Sequence, residues 1–229
     1  MSDLNIHNSI AGLESFQSIQ QVFRMIVLNK NLMATSDTFL GSEATFLSLL
    51  EELVTPRLDN NPEESKNYLE LFITNQLYAM TIQIHSLADL VAQLIYENRL
   101  VTLRRNGVDL TIDKVTFQKV KDELQANGSG IYPDLLSSLT CFETEEFKYF
   151  ASLSNTLKHK YIPVTNQGGD AISGELFRAG FQVDAFVVHE SGTERLVQAA
   201  YLPEIIAKYD LFKSQIDQVF VELNSIANT

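Results

Sequence analysis

Lys148, Ser152, Asn155 and His159 are spaced four, three and four residues apart, which places them in one row along a helix. Phe150, Leu153 and Leu157 point the other way, so the row is set to face water, a partner chain or a ligand. An imidazole in such a row can take or give a proton near neutral pH. The Asn155 amide can orient that imidazole or an anionic oxygen. Lys158 and Lys160 add positive charge beside it, although an ammonium lacks the planar two-pronged fork of a guanidinium. The competing reading is structural: lysine and histidine suit the negative end of any helix dipole, and Asn155 with His159 then forms only a solvated cap.

A second constellation is His85 with Asp89, four residues apart on another helix. A carboxylate that orients an imidazole is the arrangement general base catalysis uses; the plainer alternative is a hydrogen bond along a helix edge. The four histidines, His7, His85, His159 and His189, are out of helical reach of one another, and no paired-cysteine or His-Glu-x-x-His spacing occurs, so neither a metal nor a cofactor is expected. Phosphate-binding glycine loops and the G-x-S-x-G elbow are also missing. Cys141 is the single cysteine. It precludes an intrachain disulfide, suits a reducing compartment and reads as a small buried apolar residue.

The elements that must position these groups are mostly helical. Leu13, Phe16, Ile19, Phe23, Ile26 and Val27 mark a helix from Ile10 to about Leu32. Phe39, Leu40, Phe46, Leu47, Leu50, Leu53 and Val54 mark a second from Thr38 to Thr55, stopped by Pro56. A third begins at Asn61-Pro62-Glu63-Glu64, a cap, a first-turn proline and two acids at the positive helix end, and runs to about Leu100. Its seam of Ile73, Leu77, Met80, Ile84, Leu87, Val91 and Leu94 alternates steps of four and three, the rhythm of one long helix packed on another. Arg104-Arg105-Asn106-Gly107 marks a turn. A shorter helix follows from about Asp113 to Asn127, another is expected after Pro133, and the helix of the polar row spans about Thr144 to Lys158.

After His159 the period changes to two. Phe177, Ala179, Phe181, Val183, Ala185 and Val187 alternate with Arg178, Gly180, Gln182, Asp184, Phe186 and Val188, the pattern of a strand. His189 to Glu194 reads as a turn and Arg195 to Tyr201 as the return strand. A sheet of two or three strands must lean on helices to be stable. Pro203 opens the last helix, whose seam is Ile205, Tyr209, Phe212, Ile216, Val219, Leu223 and Ile226. The fold class is therefore mainly α, an up-and-down helical bundle with a small antiparallel β insertion before the last helix. Residues 1–60 read as an N-terminal helical hairpin packed on the bundle, and 61–229 as the main domain with its β insertion at about 161–201.

With 229 residues, 45% of them hydrophobic, the chain can bury a sizeable core. A formal net charge of −12 repels nucleic acid on average, which argues against DNA binding and confines any RNA contact to a local patch. The most apolar long stretch, Ala79 to Tyr96, is interrupted by Gln83, His85, Asp89 and Gln93, so no membrane partner is expected. Met1-Ser2-Asp3-Leu4-Asn5 lacks the basic start of a secretory signal, which leaves a cytoplasmic protein as the expectation.

Ser154-Asn155-Thr156-Leu157-Lys158-His159 resembles the signature region of HEPN-superfamily domains. Those are all-α bundles that often dimerise, and many cleave RNA without a metal. Their signature is an Arg, commonly followed by a polar residue, with a His four to six residues beyond the Arg. Here Asn155 matches the polar residue and His159 the His, while Ser154 stands where the Arg belongs. The Asn-x-x-Lys-His core is similar to that of bacterial HEPN-like proteins with a β-rich stretch before the last helix. The resemblance covers roughly Ser65 to Asn228.

The resemblance implies a homodimer and a site with His159 as acid or base, Asn155 orienting phosphate or His159, and Lys158 or Lys160 offsetting charge. Ser152, Ser154, His85, Asp89, Arg104 and Arg105 are the further binding candidates. RNA cleavage needs a base for the 2′-hydroxyl and a cation for the charge growing on phosphate, and Ser154 cannot replace a guanidinium. The missing Arg therefore favours a non-catalytic or atypical module that binds RNA, a nucleotide or a protein partner. A metal-independent endoribonuclease of toxin or phage-defence type is the alternative. A structural scaffold that oligomerises through its strand edge is the third reading.

Overall fold

The computed structural model describes residues 6–39, 62–128, 131–159, 165–167, 181–190 and 193–228. The helix expected after Phe39, Lys160 and the strand positions Phe177 to Ala179 lie outside the described residues. The helices are α1 (Asn8–Ala11), α2 (Glu14–Phe39), α3 (Pro62–Glu97), α4 (Phe117–Glu123), α5 (Pro133–Ser138), α6 (Glu145–His159) and α7 (Leu202–Ala227). The strands are β1 (Arg104–Arg105), β2 (Val108–Asp109), β3 (Thr165–Gln167), β4 (Phe181–Val183), β5 (Phe186–Glu190), β6 (Thr193–Val197) and β7 (Ala200–Tyr201). The chain is mainly α, with small antiparallel pairings, as its periodicities indicate. Among the described residues no helix is long and apolar enough to cross a membrane.

Two compact units share this chain. One holds residues 1–25, 82–151 and 208–229, the other 26–81 and 152–207. In the first, Ile84, Leu87, Val91 and Leu94 of α3 and Phe212, Ile216 and Val219 of α7 are sealed from water. Phe142 sits at its aromatic centre, with ring centroids 4.9 Å from Phe117, 5.1 Å from Phe147 and 5.8 Å from Phe212. These edge-on contacts suit the opposite polarity of ring face and ring rim. Phe220 meets Phe16 and Phe23 of α2 in the same way, each at 6.3 Å.

The α3 seam read from the sequence is fully buried along its whole length. Proline at its first position and the four-three rhythm account for its start and its inner face. The α2 stripe departs at one point: Ile26 is buried but Val27 is exposed, because adjacent residues on a helix lie about 100° apart. In place of a helix from Asp113, a short 3₁₀ turn (Ile112–Lys114) precedes α4, and a π turn (Leu124–Gly128) ends it.

Helix α3 ends in a Schellman cap. The Leu100 amide donates to the Ile95 carbonyl at 3.3 Å, and the Arg99 amide to the Tyr96 carbonyl at 2.9 Å. Such a cap needs a left-handed residue, usually glycine; here it is Arg99, with φ of 59°. A side chain there costs roughly 1–2 kcal/mol. The turn expected at 104–107 is a hairpin, β1 to β2, with Arg105 opposite Val108. Asn106 and Gly107 both take positive φ, as a two-residue type I′ turn requires.

In the second unit, β3, β4 and β7 form one antiparallel sheet, and β5 with β6 a separate hairpin. The single strand expected through residue 188 is thus two strands broken at Asp184 and Ala185. Phe181 and Val183 are buried before the break, Phe186 and Val188 after it. Two irregular residues shift the alternation by one, and a shift of one turns every side chain to the opposite face. Phe186 and Val188 therefore point inward, and Ala185, expected inside, is exposed.

Truncating Phe212, which contacts both Phe142 and Phe147, tests the aromatic centre. Phe212→Ala should lose about 3–5 kcal/mol of stability in urea denaturation. A loss under about 1 kcal/mol would show that the cluster does not hold the first unit together.

Candidate functional site: the polar row of helix α6

Helix α6 begins with Glu145 and Glu146 in its first turn, which suits the positive end of its dipole. The Thr144 hydroxyl accepts from the Phe147 amide at 3.5 Å and donates to the Cys141 carbonyl at 2.9 Å. Phe147, Tyr149, Phe150 and Leu153 are buried on the inner face. The polar row then divides. Lys148, Asn155 and Lys158 are exposed, but Ser152 is buried, although the helical pattern alone places it on the open side. His159 is the last residue of the helix.

Ser152 has an arginine of the hairpin as a partner. Arg195 of β6 lies opposite Val188 of β5, and Val197 opposite Phe186. Residues directly opposite each other share a face, and Phe186, Val188 and Val197 are all buried. Arg195 thus occupies an inward position on an apolar surface, where a guanidinium must find polar partners. It donates from Nη2 to the Ser152 Oγ at 2.9 Å. The hairpin brings a cation onto the row at Ser152, one turn of α6 before Asn155 and two turns before His159. Sequence reasoning missed Arg195. The signal was present: alternation puts it in phase with Val197, a charge where a hydrophobe is due.

Ser154, which stands at the Arg position of the resemblance, is fully buried, and its hydroxyl has no hydrogen-bond partner among the described residues. It faces the interior, so it presents nothing to a ligand. Thr156 is buried as well and donates to the Ser152 carbonyl at 2.9 Å, a local bond typical of hydroxyls inside helices. The exposed chemistry of α6 is therefore narrower than its sequence suggests.

The other candidates are placed elsewhere. His85 stacks on Phe147, with centroids 6.4 Å apart and rings 14° from parallel. Asp89 accepts from the Phe117 amide at 2.9 Å, capping the first turn of α4, a bond that the Thr116 side chain does not make. Each residue of the expected pair thus has a structural task. Arg104 pairs with Asp109 at 2.8 Å; this hydrogen bond first, and the carboxylate charge second, hold its guanidinium above its usual pKa. Arg99 and Arg104 line a cleft of the first unit, and Arg105 is exposed on the adjoining hairpin.

Burial pushes the Cys141 thiol up to about 12. A thiol so raised is held in its protonated, weakly nucleophilic form at neutral pH. Among the described residues no group of three metal-binding side chains converges. No family model, curated protein or solved structure matches this chain.

Two measurements check these assignments. Asp89→Ala should cost about 1 kcal/mol of stability and Asp89→Asn much less, because an amide oxygen still caps; equal losses would show that the cap is not what Asp89 provides. Iodoacetamide at pH 8 should leave Cys141 unmodified in the folded protein and alkylate it rapidly in denaturant. Rapid labelling of the folded protein would refute the buried, neutral thiol.

Proposed function

We propose that the chain is a HEPN-like module that binds single-stranded RNA through the outer face of α6, acting as a homodimer. The observation that carries this reading is the bond from Arg195 to Ser152, which holds a guanidinium against α6 one turn before Asn155. Guanidinium is the side-chain cation best matched to phosphate, and the exposed Lys158 lies on the same stretch of helix. The net charge of −12 supports a local and salt-sensitive contact rather than broad nucleic-acid affinity.

The same observation favours a second reading, metal-independent cleavage. The guanidinium missing from the helix signature would be supplied by Arg195 of the neighbouring hairpin, and His159 would serve as acid or base. Binding and cleavage then share one face and differ in whether His159 reaches the 2′-hydroxyl.

Fluorescence anisotropy with a labelled single-stranded RNA separates these ideas from no RNA function at all. Arg195→Gln should weaken binding roughly ten- to a hundredfold, the value of a charge-assisted contact of about 1.5–3 kcal/mol. Raising salt fourfold should cost roughly sevenfold if about two phosphates are held. Cleavage of RNA in EDTA that His159→Ala removes would establish the nuclease; saturable binding without cleavage would establish the module. Binding that is absent at low salt would sink both.

A further inference from the structure

We propose that the cleft at the end of α3 binds a small phosphate monoester, with Arg99 as its principal anchor. The cleft measures about 420 Å³, within the roughly 300–1,000 Å³ usual for small-molecule sites. It belongs to the first unit and uses no residue of α6, so it stands independently of the RNA reading.

Its polar lining has donors to spare. Of its two carboxylates, Glu97 accepts from the Ser15 amide and Asp109 from the Arg104 Nε. Among the described residues Arg99 has no carboxylate partner. Its five N–H groups, the terminal nitrogens of Arg104 and the Thr102 hydroxyl remain for a ligand. The carbonyl ends of α3 do not oppose an anion as strongly as a bare helix terminus does, since Leu94, Ile95 and Tyr96 each accept a bond from the cap. Leu94 accepts a second from the Asn98 side chain at 3.1 Å.

Arginine placement and backbone point the same way. Arg99, Arg104 and Arg105 are three of the chain's seven arginines, and no acidic residue lies between Glu97 and Asp109. Glu97 and Asp109 bound this stretch and also line the cleft, so Arg99 and Arg104 balance two carboxylates there, and what the lining offers an anion is guanidinium donors rather than net charge. Arg99 also holds a left-handed conformation, φ 59°, at the cap position where glycine is the relaxed choice. A side chain kept in a strained backbone at the rim of a cleft indicates a task for that side chain.

The acceptor that fits is a phosphate. Two planar guanidiniums each engage oxygen pairs, and a phosphate monoester offers three terminal oxygens and close to two negative charges, against two oxygens and one charge on a carboxylate. The rest of the ligand meets Val101, Ile112 and the Tyr96 ring. The Tyr96 hydroxyl donates to the Leu110 carbonyl at 2.7 Å, which holds that ring as a wall. A flat or apolar body attached to the phosphate suits it.

Thermal melting of the full chain with adenosine monophosphate, inorganic phosphate or adenosine tests this. Both phosphate probes should raise the melting temperature saturably, the nucleotide at lower concentration, and adenosine should not. Arg99→Gly should melt at or above the wild-type temperature without ligand, because glycine relieves the left-handed strain, and should weaken binding roughly ten- to a hundredfold. Arg104→Gln, on an exposed hairpin, should weaken it too, and Arg195→Gln should leave the response intact. The proposal fails if neither phosphate probe shifts the melt, if adenosine matches the nucleotide, if Arg99→Gly responds like wild type, or if Arg195→Gln abolishes the response.

Discussion

Removal of the α3 seam from water is the constraint that the remaining architecture serves. Ile73, Leu77 and Met80 lie in one compact unit, Ile84, Leu87, Val91 and Leu94 in the other, and all are fully buried. Each such side chain contributes on the order of 1.5–3 kcal/mol when it leaves water. One uninterrupted helix therefore supplies core to both units. No proline or glycine breaks it between Pro62 and Glu97, consistent with the roughly 1 to 3 kcal/mol such a break costs.

Against that apolar background the polar groups that remain inside are informative. Arg195 takes an inward position of the β5–β6 hairpin and is partnered by Ser152. Ser154, two residues on, is buried with an unbonded hydroxyl, an arrangement that ordinarily costs roughly 1–3 kcal/mol. Ser152 and Ser154 lie on the helix that carries Asn155 and His159. A region that holds a half-buried cation and a buried unbonded hydroxyl is not optimised for stability alone, and such departures concentrate at functional sites. Arg99 is a departure of the same kind, strained backbone at a helix end where glycine relieves it.

Much of the fold was legible because its signals are periodic. The four-three seams of α3 and α7 pick out buried residues from Ile73 to Leu94 and from Ile205 to Leu223, although Ile226 at the end of the second is only half-buried, since a helix has one repeat and one main buried stripe. The strand region was legible in type but not in register. Alternation carried through residue 188 puts Ala185 and Val187 inside, whereas the break at Asp184 and Ala185 reverses the faces. A two-residue period has no memory across an irregular step, so nothing local records the reversal.

Of the site, the chain alone determined the helix, the row of Lys148, Asn155 and His159, and the absence of an arginine at position 154. These follow from spacing along one element. Only the tertiary structure decided that Ser152 is covered, that Asp89 caps α4, and that an arginine reaches the row from 43 residues further along the chain. The physical reason is that a hydrogen bond between a helix and a strand depends on where two backbones lie in space. Sequence spacing governs contacts within an element. Contacts between elements are set by the packing of apolar faces, and here the burial of Phe186, Val188 and Val197 carries Arg195 inward with them.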